Sequence, residues 1–274
     1  MATIVELASY PVKSCAAAVA GSLTIGPAGP AHDRAFLVTD AHGDFRTQRV
    51  LPRLAVIRPA VSDDGTTLTL HAPDVEPCEV PIDLAGPRSP VSLFGDPYTG
   101  IDQGDDVADW LATVLGGAYR LMRVPPEHQR VTKGETDGTA SYADSSPLML
   151  LSRASLRALN ARLAERGQPE MPMARFRPNL IVDGWDEPHT EDGLRRFRVG
   201  DTELAFAKLC LRCAVVTVDQ DAGRKRGPEP LRTLATYRRA PGGLAFGVKI
   251  SVVRGGKVSV GDTIDVNGWA DSPQ

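Results

Sequence analysis

Two of the four cysteines stand three residues apart in Lys208-Leu209-Cys210-Leu211-Arg212-Cys213, directly before the apolar run Ala214-Val215-Val216-Thr217-Val218-Asp219. β-Branched residues suit strands, so Val215, Val216 and Val218 read as a buried strand with the cysteines at its entrance. A thiolate there would sit on a fixed backbone and still face a cleft. Several chemistries compete for the pair. Both thiols can be small core residues, since free cysteine is among the most buried residue types. A structural zinc site asks for four ligands, and Cys15 and Cys78 are isolated and distant in the chain, which argues against it. A thioredoxin-like dithiol opens a helix, whereas this pair runs into β-branched residues. Beside the core reading stands a single thiolate ligand or nucleophile, with Arg212 and Lys208 at hand to favour the charged form.

Other polar clusters could grip an anion. Tyr10-Pro-Val-Lys-Ser14 places Lys13 and the Ser14 hydroxyl at the end of a first strand, where proline stops regular pairing. Taken alone, that segment favours a solvated lysine in a turn. Arg34, after Asp33, offers a planar fork of donors suited to phosphate at a strand mouth, though it too could simply be solvated. Asp144-Ser145-Ser146-Pro147 precedes a strand, so its hydroxyls and free N–H groups form either a small anion nest or a plain turn. In Arg175-Phe176-Arg177-Pro178-Asn179 an extended backbone would turn Arg175, Arg177 and Asn179 to one side and Phe176 to the core, a better anion-recognition candidate than a chance run of charge. The five histidines show no ligand spacing, and no Gly-x-Ser-x-Gly or Walker-type loop occurs.

These residues need a mainly β framework to hold them. Gly 26 and Pro 22 are spread along 274 residues, which favours many short strands joined by turns. Leu23–Ile25, Ala35–Thr39, Leu54–Ile57 and Thr67–His71 read as strands of a first unit, with Asp40–Gly43 and Asp63–Gly65 as turns. Val107, Trp110, Leu111, Val114 and Leu115 then fall on one helical face, behind Asp105 and Asp106 and ahead of Gly116. Pro125 to Ala143 is polar and aperiodic and reads as a long surface loop. Leu148–Ser152 reads as a strand, Leu156, Leu159 and Leu163 as a helix ending near Gly167, and Lys249 to Val260 as a last hairpin about Gly255-Gly256. The expected fold class is α+β, mainly β: a barrel-like domain over 1–104, a β-barrel domain with a few helices over 105–268, and a tail over 269–274.

Composition narrows the partners. Hydrophobic residues make up 42%, charged residues 24%, and the net charge is −3. Bulk electrostatics therefore predict no nucleic-acid or membrane-surface partner. Four cysteines do not make a disulfide framework in a chain this long, and the start lacks a basic segment followed by a long apolar run, so a cytoplasmic protein with reduced thiols is expected.

In combination, Tyr10–Ser14, Asp33-Arg34, Thr47-Gln-Arg49, Asp144–Pro147, Phe176–Asn179, Cys210–Cys213 with Thr217–Asp219, and Phe246-Gly247 occur in an order that resembles MOSC-domain proteins with a MOSC N-terminal β-barrel domain, among them the amidoxime-reducing components. The resemblance spans nearly the whole chain. It implies a molybdenum cofactor, a pterin bearing a phosphate and a metal-holding dithiolene. It also implies Cys213 as the metal ligand, with no ligand role for Cys210. Lys13, Ser14, Arg34, Asp144, Ser145, Ser146, Arg177 and Asn179 would contact the cofactor, with Arg175 and Asp219 as supports.

The implied reaction is two-electron reduction of N-hydroxylated substrates, the oxygen leaving as water. Substrate is expected to enter beside Cys213, under the loop 125–143. Relatives in mitochondria carry a targeting and anchoring segment and some bacterial ones a ferredoxin domain; neither is recognisable here, so no membrane anchor is expected. Electrons are expected from a separate flavin-dependent reductase with a ferredoxin-like or cytochrome carrier. Two rival readings are a cysteine persulfide that passes sulfur on and a carrier of the cofactor.

Overall fold

The computed structural model describes residues 1–270. The chain is mainly β with three α-helices among the described residues, as the sequence pattern anticipates: α1 (Asp105–Leu115), α2 (Arg153–Glu165) and α3 (Leu231–Leu234). No helix among them is long and apolar enough to cross a membrane. Of the tail expected over 269–274, Trp269 ends the strand Ile264–Trp269, and residues 271–274 lie outside the described residues.

One large sheet carries the second half of the chain. Along it run Ala18–Ala20, Thr3–Ser9, Leu180–Asp183, Leu148–Ser152, Gly243–Arg254, Thr202–Leu211, Leu194–Val199 and Ile264–Trp269. Among these strands, as far as the described residues go, only Leu148–Ser152 and Leu180–Asp183 pair in parallel, and the connection between them contains α2, as a parallel crossover requires. The first strand and the last approach each other again: Thr3 bridges Thr263, and Ile264 N–H donates to the Ala2 carbonyl at 2.9 Å. The sheet thereby closes on itself around Leu7, Leu148, Leu150, Leu180, Phe197, Leu204 and Ile250, all almost fully buried.

A second core forms around a four-stranded sheet, Phe36–Thr39, Arg120–Arg123, Asp96–Asp102 and Arg88–Leu93, and a three-stranded one, Arg58–Val61, Thr67–Ala72 and Val75–Pro81. Helix α1 packs here. Its apolar face, Val107, Trp110, Leu111 and Val114, joins Phe36, Leu70, Val91 and Leu121, while Gly116 ends it in the left-handed conformation expected of a helix C-terminus. The change of period at residue 105 thus marks a change of element, not of core. Conversely, the first strand lies in the large sheet, and Ser22–Gly26 pairs with Gly256–Ser259 near the other end of the chain. The two halves interleave.

Several local expectations are corrected. Gly243–Arg254 and Gly256–Ser259 do not form a hairpin: the first pairs with Thr202–Leu211 and Leu148–Ser152, the second with Ser22–Gly26. Leu54 to Val56 lies in a 3-10 turn, started by Pro52, and not in a strand. Arg175 is not in extended backbone either: Met173–Phe176 is a 3-10 turn, and Arg177 follows in the left-handed region at φ 57°. Ala214–Thr217 is likewise 3-10, so the cysteines sit at the exit of Thr202–Leu211 and not at the entrance of a valine strand. A β-branched run cannot tell a strand from a tight turn when only Val216, Thr217 and Val218 are buried and Val215 is half-buried.

Candidate functional site

The cores meet around a cavity of about 600 Å³ that is lined from several distant stretches of chain. Backbone pairing brings the first two together. Lys13 N–H donates to the Phe36 carbonyl at 2.7 Å and Arg34 N–H to the Tyr10 carbonyl at 2.7 Å, so Lys13, Ser14 and Arg34 emerge side by side. Ser14 (φ 69°), Arg34 (φ 47°) and Arg177 (φ 57°) all adopt left-handed backbone, a conformation that costs non-glycine residues energy and gathers at functional sites. All three line the cavity.

Lys13 is buried; Nζ donates to the Tyr142 carbonyl at 2.8 Å and pairs with the Asp144 carboxylate. Burial pushes its pKa down, against the pull of Asp144. The Asp144 carboxyl is held below the ordinary range: removal from bulk water opposes this, but Lys13 and Lys249 outweigh it. Arg130 fixes the backbone of this stretch by donating to the Ser141, Ala143 and Asp144 carbonyls at 3.2, 2.5 and 2.9 Å. Ser145 and Ser146 therefore present their hydroxyls from a tethered turn, Ser146 Oγ donating to the Ser145 carbonyl. From the loop 125–143 itself only Glu135 and Ala143 reach the cavity.

Arg34 and Arg177 both lie against the ring of Tyr10, at 4.4 and 4.2 Å from its centroid. Arg34 pairs with Asp33. Arg177 makes no ion pair among the described residues; Nη1 donates to the Cys15 carbonyl at 2.5 Å, and burial pushes its pKa down. Asn179 is fully buried and spends its whole amide on the protein. Its Nδ2 donates to the Ala8 carbonyl (3.0 Å) and Asp33 Oδ1 (3.1 Å), and its Oδ1 accepts from Met149 N–H and Arg34 Nη1, both at 3.1 Å. Arg175 is buried, donates to the Val216 carbonyl and stands 3.7 Å from Asp219. Asp219 is not part of the lining: it accepts from Arg226 Nε and from the Asp221 and Ala222 N–H groups and acts on the cavity only through Arg175.

The cysteines part company. Cys210 is buried, and Arg212 Nη1 donates to its Sγ at 2.7 Å and to Met149 Sδ at 3.3 Å. Cys213 is exposed at the cavity. All four cysteines are free, and no three His, Cys, Asp or Glu side chains gather to hold an ion among the described residues. A metal held here would have one protein thiolate and would bring its other donors with it.

Sequence reasoning named Lys208 and Arg212 only as neighbours of the thiolate and Arg49 only within a motif, and missed Lys249 as a site candidate altogether. Arg49, Lys208, Arg212 and Lys249 join Lys13, Arg34, Arg175 and Arg177, so eight basic side chains face two acidic ones, Glu135 and Asp144. A chain of net charge −3 thus carries a strongly positive cavity, invisible to bulk composition. The pattern Thr47-Gln-Arg49 was the available signal for Arg49: Gln48 is buried, donates to the Ser14 carbonyl at 2.6 Å and pairs with Gln220, leaving Thr47 and Arg49 on the lining.

Residues 1–118 match the MOSC N-terminal beta barrel domain and residues 137–265 the MOSC domain. Mitochondrial amidoxime-reducing component 1 of Xenopus laevis is 32% identical, over 94% of this chain and 80% of that protein. The human protein of the same name is 34% identical, over 86% and 72%. Molybdenum cofactor sulfurase of Anopheles gambiae is 33% identical over 91% of this chain, which spans only 34% of that protein. The chain belongs to the MOSC-domain proteins that carry a MOSC N-terminal beta barrel domain, the family that includes the mitochondrial amidoxime-reducing components.

Proposed function

We propose that this chain holds a molybdenum cofactor in the cavity and uses it to reduce N-hydroxylated compounds: amidoximes, hydroxylamines and N-hydroxylated bases. One observation carries the reading: an exposed thiol, Cys213, opens onto a cavity walled by eight basic side chains, one of which, the half-buried Arg177, has no ion-pair partner among the described residues. The residues fit such a group. A buried cation is costly unless an anion joins it, and Arg212 Nε is a buried donor with no partner among the described residues. Soft sulfur suits molybdenum, and a ligating thiol is deprotonated outright.

Cys213 would ligate the metal. Lys13, Ser14, Arg34, Ser145, Ser146 and Arg177 would grip the phosphate and pterin, with Asp144 orienting Lys13 and Arg175 braced by Asp219. Asn179 would frame the floor and not donate to the ligand, because its amide is already satisfied. When bound, the cofactor supplies two electrons to an N–OH group, which with two protons yields N–H and water. The chain's own residues bind, orient and exclude water. Electrons would arrive from a separate reductase and carrier.

The test is anaerobic turnover of benzamidoxime by cofactor-loaded protein with reduced methyl viologen as donor. Benzamidine formed in proportion to viologen oxidised, at two electrons per product, supports the reading. Loaded protein that leaves benzamidoxime and other N-hydroxylated compounds untouched contradicts it and points to a cofactor carrier or to sulfur transfer. In the latter Cys213 would be the thiol to carry a persulfide, since Cys210 lies beneath Arg212.

A further inference from the structure

Lys208 and Lys249 stand directly opposite each other in the ladder between Thr202–Leu211 and Gly243–Arg254. Like charges at opposed positions of a sheet repel and destabilise it. Both lysines line the cavity. Neither makes an ion pair among the described residues, and the nearby carboxylates are taken: Asp144 by Lys13, and Glu135 by Arg195 at 3.0 Å. Lys208 Nζ donates to the Lys133 carbonyl at 2.5 Å, which ties it beneath the small hairpin of Val131–Thr132 and Gly138–Thr139. Burial, then Lys249 and Arg130, disfavour its charged form. The pair is therefore a concentration of positive charge, held in place by backbone pairing, that Asp144, already paired with Lys13, offsets only from Lys249's side and without an ion pair.

It is also separate in the chain from the other cations. Lys13, Arg34 and Arg177 come from the first strand's end and from the segments before Phe36 and Leu180, where the hydroxyls of Ser14, Ser145 and Ser146 gather beside them. Those residues already offer a phosphate a full set of donors. Lys208 and Lys249 instead sit on the two long strands, and Lys208 is on the strand that leads to Cys213.

Resting on the reading of the cavity as a reductive site, we infer that Lys208 and Lys249 hold an anionic group of the substrate. The preferred substrates are then N-hydroxylated compounds that also bear a carboxylate or phosphate. Such a group would neutralise the opposed lysines and fix the direction in which the N–OH end enters.

Cofactor-loaded protein, titrated by calorimetry with 4-carboxybenzamidoxime and with unsubstituted benzamidoxime, tests this. The expected result is a Kd for the charged compound at least about tenfold lower, with an advantage that shrinks as salt is raised. In the Lys208→Gln/Lys249→Gln double variant, and in part in each single variant, the advantage should fall to about twofold or less, with released pterin fluorescence equal to wild type. Equal affinities in the wild type, no binding of the charged compound, or an advantage that survives in the double variant overturns the inference. Loss of pterin from the variants also overturns it and assigns the lysines to the cofactor. A retained binding advantage without turnover of either compound would sink the reductase reading and leave the anion site standing. Turnover without any advantage would do the reverse.

Discussion

Arg212 Nη1 donates to Cys210 Sγ at 2.7 Å, so the arginine between the two cysteines closes over the first and leaves the second facing the cavity. Its Nη2 donates to the Phe176 carbonyl at 2.5 Å, which links the cysteine turn to the segment that carries Arg175 and Arg177. Two thiols three residues apart thereby take different parts: both border the cavity, but Cys210 is buried beside Met149 under Arg212, while Cys213 is exposed.

Serine substitutions should separate them. Cys213→Ser is expected to lower reductase activity by about a hundredfold or more with the melting temperature unchanged, as for loss of a direct ligand. Cys210→Ser should keep most of the activity and lose about 1 kcal/mol of stability, because a smaller and more polar group replaces a buried thiol. Steady-state rates and denaturant melts on both variants decide it; the opposite ranking would make Cys210 the functional thiol.

Arg177 predicts a trade between stability and binding. A half-buried guanidinium with no ion pair among the described residues still burdens the empty protein, so Arg177→Leu should stabilise cofactor-free protein by up to about 1 kcal/mol while lowering cofactor content about tenfold or more. Urea unfolding of the empty forms and pterin analysis of the loaded forms check the two halves. A variant destabilised when empty would show that the Tyr10 stacking and the Cys15 hydrogen bond outweigh the desolvation of the charge.

Asn179→Ala tests the framework. It would strip Met149 N–H and the Ala8 carbonyl of buried partners and cut the Asp33 and Arg34 contacts, at a cost of about 3 kcal/mol. The loss should appear in chemical denaturation of the cofactor-free protein. If stability were unchanged and only cofactor content fell, Asn179 would be a ligand-contacting residue.

Much of this was legible in the chain, for identifiable reasons. Helices α1 and α2 announce themselves through 3.6-residue periodicity and terminal glycines, and Leu148–Ser152 through an apolar run. Lys13, Arg34 and the serines could be singled out because residue type and a nearby strand end suffice. What escaped depends on tertiary pairing. Lys208 and Lys249, 41 positions apart in the chain, become neighbours only when their strands align, and Gly243–Arg254 parts from Gly256–Ser259 because each finds a distant partner. Arg175, Arg177 and Asn179 all line the cavity, but through a 3-10 turn and a left-handed residue and not an extended segment, since side-chain direction in a short segment is set by its anchors and not by local period.

Acid stability should show two opposed contributions from neighbouring residues. His189 has both ring nitrogens buried and without a partner among the described residues, and burial, with Arg238 and Arg162, lowers its pKa from 6.5 to about 4. The folded chain then binds fewer protons than the unfolded one between those values, so this contribution falls as pH drops from 6.5 to 4. Burial raises Asp192 from 3.8 to about 6 against the pull of Arg238. The folded chain binds more protons there, and this contribution rises as pH drops from 6 to 3.8. His189→Asn should flatten the acid-side loss of melting temperature and Asp192→Asn should steepen it. The lost ring contacts of His189 shift the whole curve, so slopes between pH 7 and 4 carry the test, and identical slopes in all three proteins would contradict it.

The most direct measurement is molybdenum content by mass spectrometry of the wild type and of Cys213→Ala, both purified from a host that makes the cofactor. Near-stoichiometric metal in the wild type and its loss from a folded Cys213→Ala variant is the expected result. Wild-type protein without molybdenum despite confirmed cofactor supply, or a variant that keeps its full content, would contradict the central claim that Cys213 and the basic cavity form a molybdenum-cofactor site.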